Sequence, residues 1–149
     1  MKKVTKAAKT GRPPKFKSKE EMQELIDAYF KDCEGKLVLD DEGRAITDKH
    51  GNPVIVGSKP LTVTGLALAL GFSSRQSLLN YEGKKEFMDT ITRAKARVEE
   101  YVESRLFDKD GANGAKFSLS NNFKGWNEKQ VVEADVKSEE VVTVELSDE

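Results

Sequence analysis

Apolar side chains recur at helical spacing near both ends of this chain's central part and in short alternating runs between, and the change of period divides the sequence into helical and extended segments. Met22, Leu25, Ile26, Tyr29 and Cys33 share one face of a helix that opens at the Ser18-x-x-Glu21 capping box and ends near Gly35. From Lys36 to Val56 the pattern changes to β-prone runs at 36–39, 44–47 and 54–56, separated by Asp40-Asp41-Glu42-Gly43 and Asp48-Lys49-His50-Gly51. These two turns resemble each other eight residues apart, which predicts a small meander or hairpin inserted at 36–58, with Pro53 on an edge.

Beyond the insertion, Thr62 or Thr64 caps a short helix from Gly65 to Leu70, Gly71 breaks it, and Ser73-x-x-Gln76 forms a second capping box. A long amphipathic helix is expected from Lys84 to Phe107, with Phe87, Ile91, Ala94, Val98, Tyr101, Val102 and Leu106 spaced by threes and fours. Its apolar surface exceeds what so small a domain covers, so Ile91, Ala94, Val98, Tyr101, Val102 and Leu106 are expected to meet another subunit, with packing on the first helix as the alternative. Gly111-Ala112-Asn113-Gly114 ends it, a further short helix spans 115–122, and Val141 to Leu146 reads as a strand seeking a partner or as a solvated tail.

Length and composition allow one compact domain with appendages: 149 residues, 37% hydrophobic and 34% charged. No apolar run approaches the roughly 20 residues of a membrane span, and the Lys-rich start lacks a signal's apolar segment, so a cytosolic protein is expected. One cysteine, Cys33, and one histidine, His50, leave no internal disulfide, no zinc site without carboxylates and little material for nucleophilic catalysis. The stretch 51–59 lacks the glycine spacing of a phosphate loop, and Asp40, Asp41, Glu42 and Asp48 are explained as turn formers without a metal. An enzyme is therefore not expected, and no cofactor is implied.

Charge is distributed unevenly. Residues 1–19 hold eight Lys/Arg and no acids, whereas 127–149 hold eight acids and two lysines. A basic arm of this kind neutralises nucleic-acid phosphate, while the acidic tail is either solvated or docks on a basic partner. The arm, 1–17, contains Gly11-Arg12-Pro13, the core of a minor-groove element in which Arg12 would enter a narrow groove; a generic basic linker is the alternative.

The stretch from Leu66 to Phe72, followed by Ser73 to Tyr81, then carries the functional reading. Ala67 supplies the small residue at a helix crossing, Gly71 the turn, and Leu66, Leu70, Phe72 and Leu78 the inner faces of a helix-turn-helix. Leu78 falls one place later than in the simplest repressor pattern, which predicts a turn one residue longer. Ser74, Arg75, Gln76, Ser77 and Asn80 are then the outward side chains able to meet base edges and phosphates, with Lys15, Lys17, Lys84 and Lys85 as phosphate contacts. The insertion at 36–58 is either a wing on DNA or a solvated appendage, and its excess of acids favours the appendage.

In their order and spacing, the segments 10–16, Ala28-Tyr29-Phe30, 61–72, 75–78 and 122–126 resemble the small subunit of a tailed-bacteriophage terminase over roughly residues 10–127. The resemblance implies a ring-shaped homo-oligomer that binds viral concatemeric double-stranded DNA and hands it to the large terminase subunit, which holds the ATPase and nuclease. The expected architecture is mainly α: a helix-turn-helix domain at 18–83 with the β insertion, a helical oligomerisation region at 84–126, and flexible termini at 1–17 and 127–149. A dimeric transcriptional regulator is the rival reading.

Overall fold

The computed structural model describes residues 15–127; Arg12, the remainder of the arm before Lys15, and the tail with Val141 to Leu146 lie outside the described residues. Within them the chain is mainly helical, with α1 (Lys19–Glu34), α2 (Val63–Ala69), α3 (Arg75–Glu82), α4 (Met88–Ser104) and α5 (Ala112–Asn122). A two-stranded antiparallel sheet pairs β1 (Lys36–Leu37) with β2 (Ile55–Val56), placing Lys36 opposite Val56 and Leu37 opposite Ile55. No helix among the described residues is long and apolar enough to cross a membrane. They form two compact units, divided between Ser104 and Arg105.

Ser18 starts α1 as the sequence predicts: its hydroxyl accepts the Glu21 N–H at 3.2 Å, and the Glu21 carboxylate reaches back to the Lys17 N–H at 2.9 Å. Such a cap contributes about 1 kcal/mol. Gly35 ends the helix at φ +80°, where a Cβ would come within 2.7 Å of Ser58 N and Val56 O. The buried face holds Met22, Ile26, Tyr29, Phe30 and Cys33. Leu25, expected among them, is 40% exposed. Phe30 takes its place because α1 packs on α4 as well as on α2, and the Arg97 guanidinium from α4 lies 4.3 Å from the Phe30 ring centre.

The 36–58 insertion closes on itself in a three-way hydrogen-bond cycle. Ile46 N–H donates to Val38 O, Val38 N–H to Val54 O, and Val54 N–H to Ile46 O, at 2.8–2.9 Å. The three residues stand eight apart, so the repeat seen in the two turns is also the repeat of the cycle. Each turn is built alike: Asp40 Oδ1 accepts from Glu42 and Arg44 N–H, Asp48 Oδ1 from His50 and Asn52 N–H, and Gly43 and Gly51 supply the positive φ. The Arg44 N–H, ahead of the other contributions, holds the Asp40 carboxyl below its ordinary value, and the Asn52 and His50 N–H groups do the same for Asp48. A lowered folded-state pKa contributes stability above the ordinary carboxylate value that is lost as pH falls through the lowered one. Acidification to about pH 2 is therefore expected to shift the Glu42, Arg44, His50 and Asn52 amide resonances together toward random-coil positions while α1 persists. Native positions retained there would contradict this role for the two carboxylates.

The core of the first unit brings Met22 and Ile26 of α1 together with Leu66, Leu78, Ile91 and Val98 from the later helices, each at most 1% exposed. The long helix expected over 84–107 is shorter at both ends. Residues 84–87 form a turn closed by Phe87 N–H on Lys84 O at 3.0 Å, which delivers the buried Phe87 ring 5.0 Å from Tyr81. At the other end the chain tightens into a 3-10 turn, Arg105–Phe107. Of the side chains expected to meet another subunit, Ile91, Ala94, Val98 and Val102 are buried within the chain itself, and Tyr101 and Leu106 are half-buried. The second unit packs α5 on the 3-10 turn, with Arg105 paired to Asp108 at 2.5 Å and lying over Gly111.

Candidate nucleic-acid interface

Thr62 caps α2 by accepting the Gly65 N–H at 2.9 Å, and Tyr29 Oη holds the Thr62 backbone at both its N–H and its carbonyl. The helix closes in a Schellman arrangement: Gly71, at φ +79°, donates to Leu68 O, and Phe72 donates to Ala67 O, both at 2.9 Å. Five residues, 70–74, connect α2 to α3, longer than the usual three- to four-residue connection and in keeping with the late position of Leu78. Because Phe72 must turn inward to its buried site, α3 begins later than expected and its cap is Ser74 rather than Ser73.

That shift decides what the polar side chains of α3 present. Ser74 Oγ accepts the Ser77 N–H at 3.1 Å and lies 3.0 Å from Ser77 Oγ, so both hydroxyls are engaged in the cap and half-buried. Gln76 and Asn80 stand one turn apart on the exposed face, with Gln76 Nε2 donating to Asn80 Oδ1 at 2.9 Å. Outside this bond the Gln76 amide oxygen is an acceptor and the Asn80 amide protons are donors, groups of the kind that read base edges. Arg75, at the first helical position, is half-buried. Leu78 and Tyr81 anchor the opposite face, and Glu82 ties the end of α3 to α4 through Lys95 at 2.9 Å and Thr92 at 3.0 Å. Glu82 and Lys95 are both about one-fifth exposed, so this pair holds α3 more firmly than a fully solvated one would.

An aromatic cluster supports the surface from below. Phe16, Phe72, Tyr81 and Phe87 pack in tilted and edge-to-face pairs with centroids 5.0–6.3 Å apart, and Phe16 is 3% exposed. The Phe16 N–H also donates to Tyr81 Oη at 3.3 Å. Residues 15–17, expected to belong to a flexible terminus, are thus fastened to α3 by an aromatic ring. Phe16 is the supporting residue whose burial sequence reasoning missed, and the available signal was that it is the sole aromatic side chain before Tyr29.

Two cations rim the cluster. The Lys15 ammonium donates to Gly71 O and lies 4.7 Å from the Phe72 ring centre, while the Lys84 ammonium lies 4.3 Å from that of Tyr81. Positive charge from the base of the arm and from the residues after α3 therefore flanks the same helix. Lys17 and Lys85 are exposed, and the Lys17 backbone is held by Glu21. Arg12 lies outside the described residues. Among the described residues no group of three or more His, Cys, Asp or Glu side chains is placed to hold a metal.

A family model described as DNA-packaging protein gp3 matches residues 11–132, a span that takes in the meander and α1 to α5. No curated protein and no solved structure matches the chain.

Proposed function

The chain belongs to the family of DNA-packaging protein gp3, and from that membership and the surface of α3 we propose that it is the non-catalytic, DNA-recognising subunit of a phage packaging machine. In this reading α2 and α3 act as a helix-turn-helix on the viral concatemer. The protein works in the host cytoplasm as a multi-copy assembly, in the manner of a terminase small subunit, and hands DNA to a large ATPase and nuclease subunit.

The observation that carries the proposal is the exposed Gln76–Asn80 pair, set on a helix preceded by Phe72 with Lys15 over its ring and followed by Lys84 over the Tyr81 ring. Polar amides on a rigid helix supply base readout, and flanking ammonium groups supply sequence-independent attraction to phosphate. Lys15 stands beside the start of the same helix, because Phe16 pins the chain there. In this reading the basic residues of 1–14 supply further phosphate or minor-groove contacts while α3 occupies the major groove.

The test is competition between duplexes from the packaging region and duplexes of scrambled sequence. Replacing Arg75 and Gln76 by Ala is expected to reduce the preference for the packaging sequence by about 1–3 kcal/mol per lost base contact. The salt dependence should stay within about one phosphate contact of the parent protein. Full selectivity retained by the double variant would remove α3 as the reading element.

A further inference from the structure

We infer that the groove between α1 and α2 is the docking site for the 105–127 unit of a second copy of this chain. The groove has a volume of about 590 Å³ and is lined by Leu25, Ala28, Pro60, Leu68 and Ala69 above the Tyr29 ring. The two charged lining residues, Lys59 and Asp32, pair with each other at 2.6 Å, and the remaining lining is mostly apolar. Leu25 and Leu68 face water at 40% and 58% exposure, although each belongs to a helix with a well-filled core face of its own. None of the lining residues comes from α3 or from residues 15–17, so an occupant here leaves the proposed DNA surface open.

The chain carries a complementary element. Phe107 and Phe117, both in the second unit, are 90% and 72% exposed, the two most exposed large apolar side chains among the described residues. Aromatic side chains held on a short helical scaffold are the usual anchors of an apolar interface pocket. Charge points the same way: α1 holds six acidic and two basic residues, whereas 105–127 holds four basic and two acidic. Other occupants fit less well. The acidic tail and DNA would both meet the acids of α1, and residues 1–14 hold no apolar side chain larger than Met1 and Val4 with which to fill the groove.

Because groove and docked unit are different surfaces, the contact is heterologous, and its repetition generates a closed ring or an open filament. The inference rests on the multi-copy reading above and specifies where the copies meet, away from the buried face of α4.

Light scattering of the full chain and of Leu68→Glu and Phe117→Glu tests it. Both substitutions fall at exposed positions, and thermal melts confirm that each variant is folded; Leu25→Ser and Phe107→Ser provide a second pair should either fail to fold. The parent protein is expected to be a large oligomer and each variant a monomer. An equimolar mixture of the two variants should give a one-to-one dimer, since it retains one intact groove and one intact aromatic unit. An oligomeric parent whose variants keep its mass, or monomeric variants whose mixture stays monomeric, would overturn the inference and leave the multi-copy reading standing. A monomeric parent would overturn both.

Discussion

Phe16→Ala is expected to lower the folding stability of this chain by about 3 kcal/mol, the lower end of the range for emptying a buried phenylalanine site. For an ordered region near 100 residues this corresponds to a fall of roughly 12–24 °C in the melting midpoint. Three effects add at the site: the ring leaves a cavity against Phe72, Tyr81 and Phe87, the aromatic contacts with all three are lost, and the chain is no longer held for its N–H to reach Tyr81 Oη. Phe16→Leu, which refills most of the volume, should recover more than half of the loss. At temperatures where the Ala variant is folded, it should also bind duplex DNA more weakly than the parent, because Lys15 is released from its place against Gly71 and Phe72. A melt identical to the parent's would show that Phe16 contributes nothing to the cluster.

Replacing Lys17, Lys84 and Lys85 together by Ala is expected to weaken duplex binding by about tenfold per lysine in contact with phosphate at about 0.1 M salt, and to reduce the slope of log affinity against log salt by about 0.9 for each. All three side chains are exposed, so the melting midpoint should move little. Lys84 additionally loses its position over Tyr81, a contact of about 0.5–1 kcal/mol, which sets the scale of any stability change. The contrast with Arg75 and Gln76 makes the prediction specific. Phosphate-contacting lysines alter affinity for every sequence, whereas base-contacting residues alter the preference among sequences. Anisotropy titrations of a labelled duplex across a range of salt read both quantities.

Much of the fold was legible because caps and periods are local. Ser18, Thr62 and the two Asp-to-Gly turns are recognisable from neighbours within four residues, and the structure uses them all. What was not legible depended on distant partners. Leu25 and Phe30 are both compatible with an apolar helix face, and only the arrival of Arg97 and α4 on one side decides which of them is buried. The spacing of Ile91, Ala94, Val98 and Val102 reveals an apolar stripe without saying what covers it; in the structure these side chains belong to the chain's own core. At α3 five polar side chains were expected to face outward; Gln76 and Asn80 do, Arg75 is half-buried, and the roles of Ser74 and Ser77 turned on which serine caps the helix, a choice set by the inward turn of Phe72. Phe16 escaped notice for the opposite reason: it belongs to a segment whose neighbours are basic, and its partners lie 56 or more residues further along the chain.

Binding of the unaltered chain to duplex DNA as a function of salt tests the central claim most directly. Saturable binding is predicted, with affinity falling linearly in log–log form and a slope corresponding to several phosphate contacts, as a basic arm and flanking lysines beside α3 require. Failure to bind duplex DNA of the packaging region at about 50 mM salt, where such contacts are strongest, would contradict it.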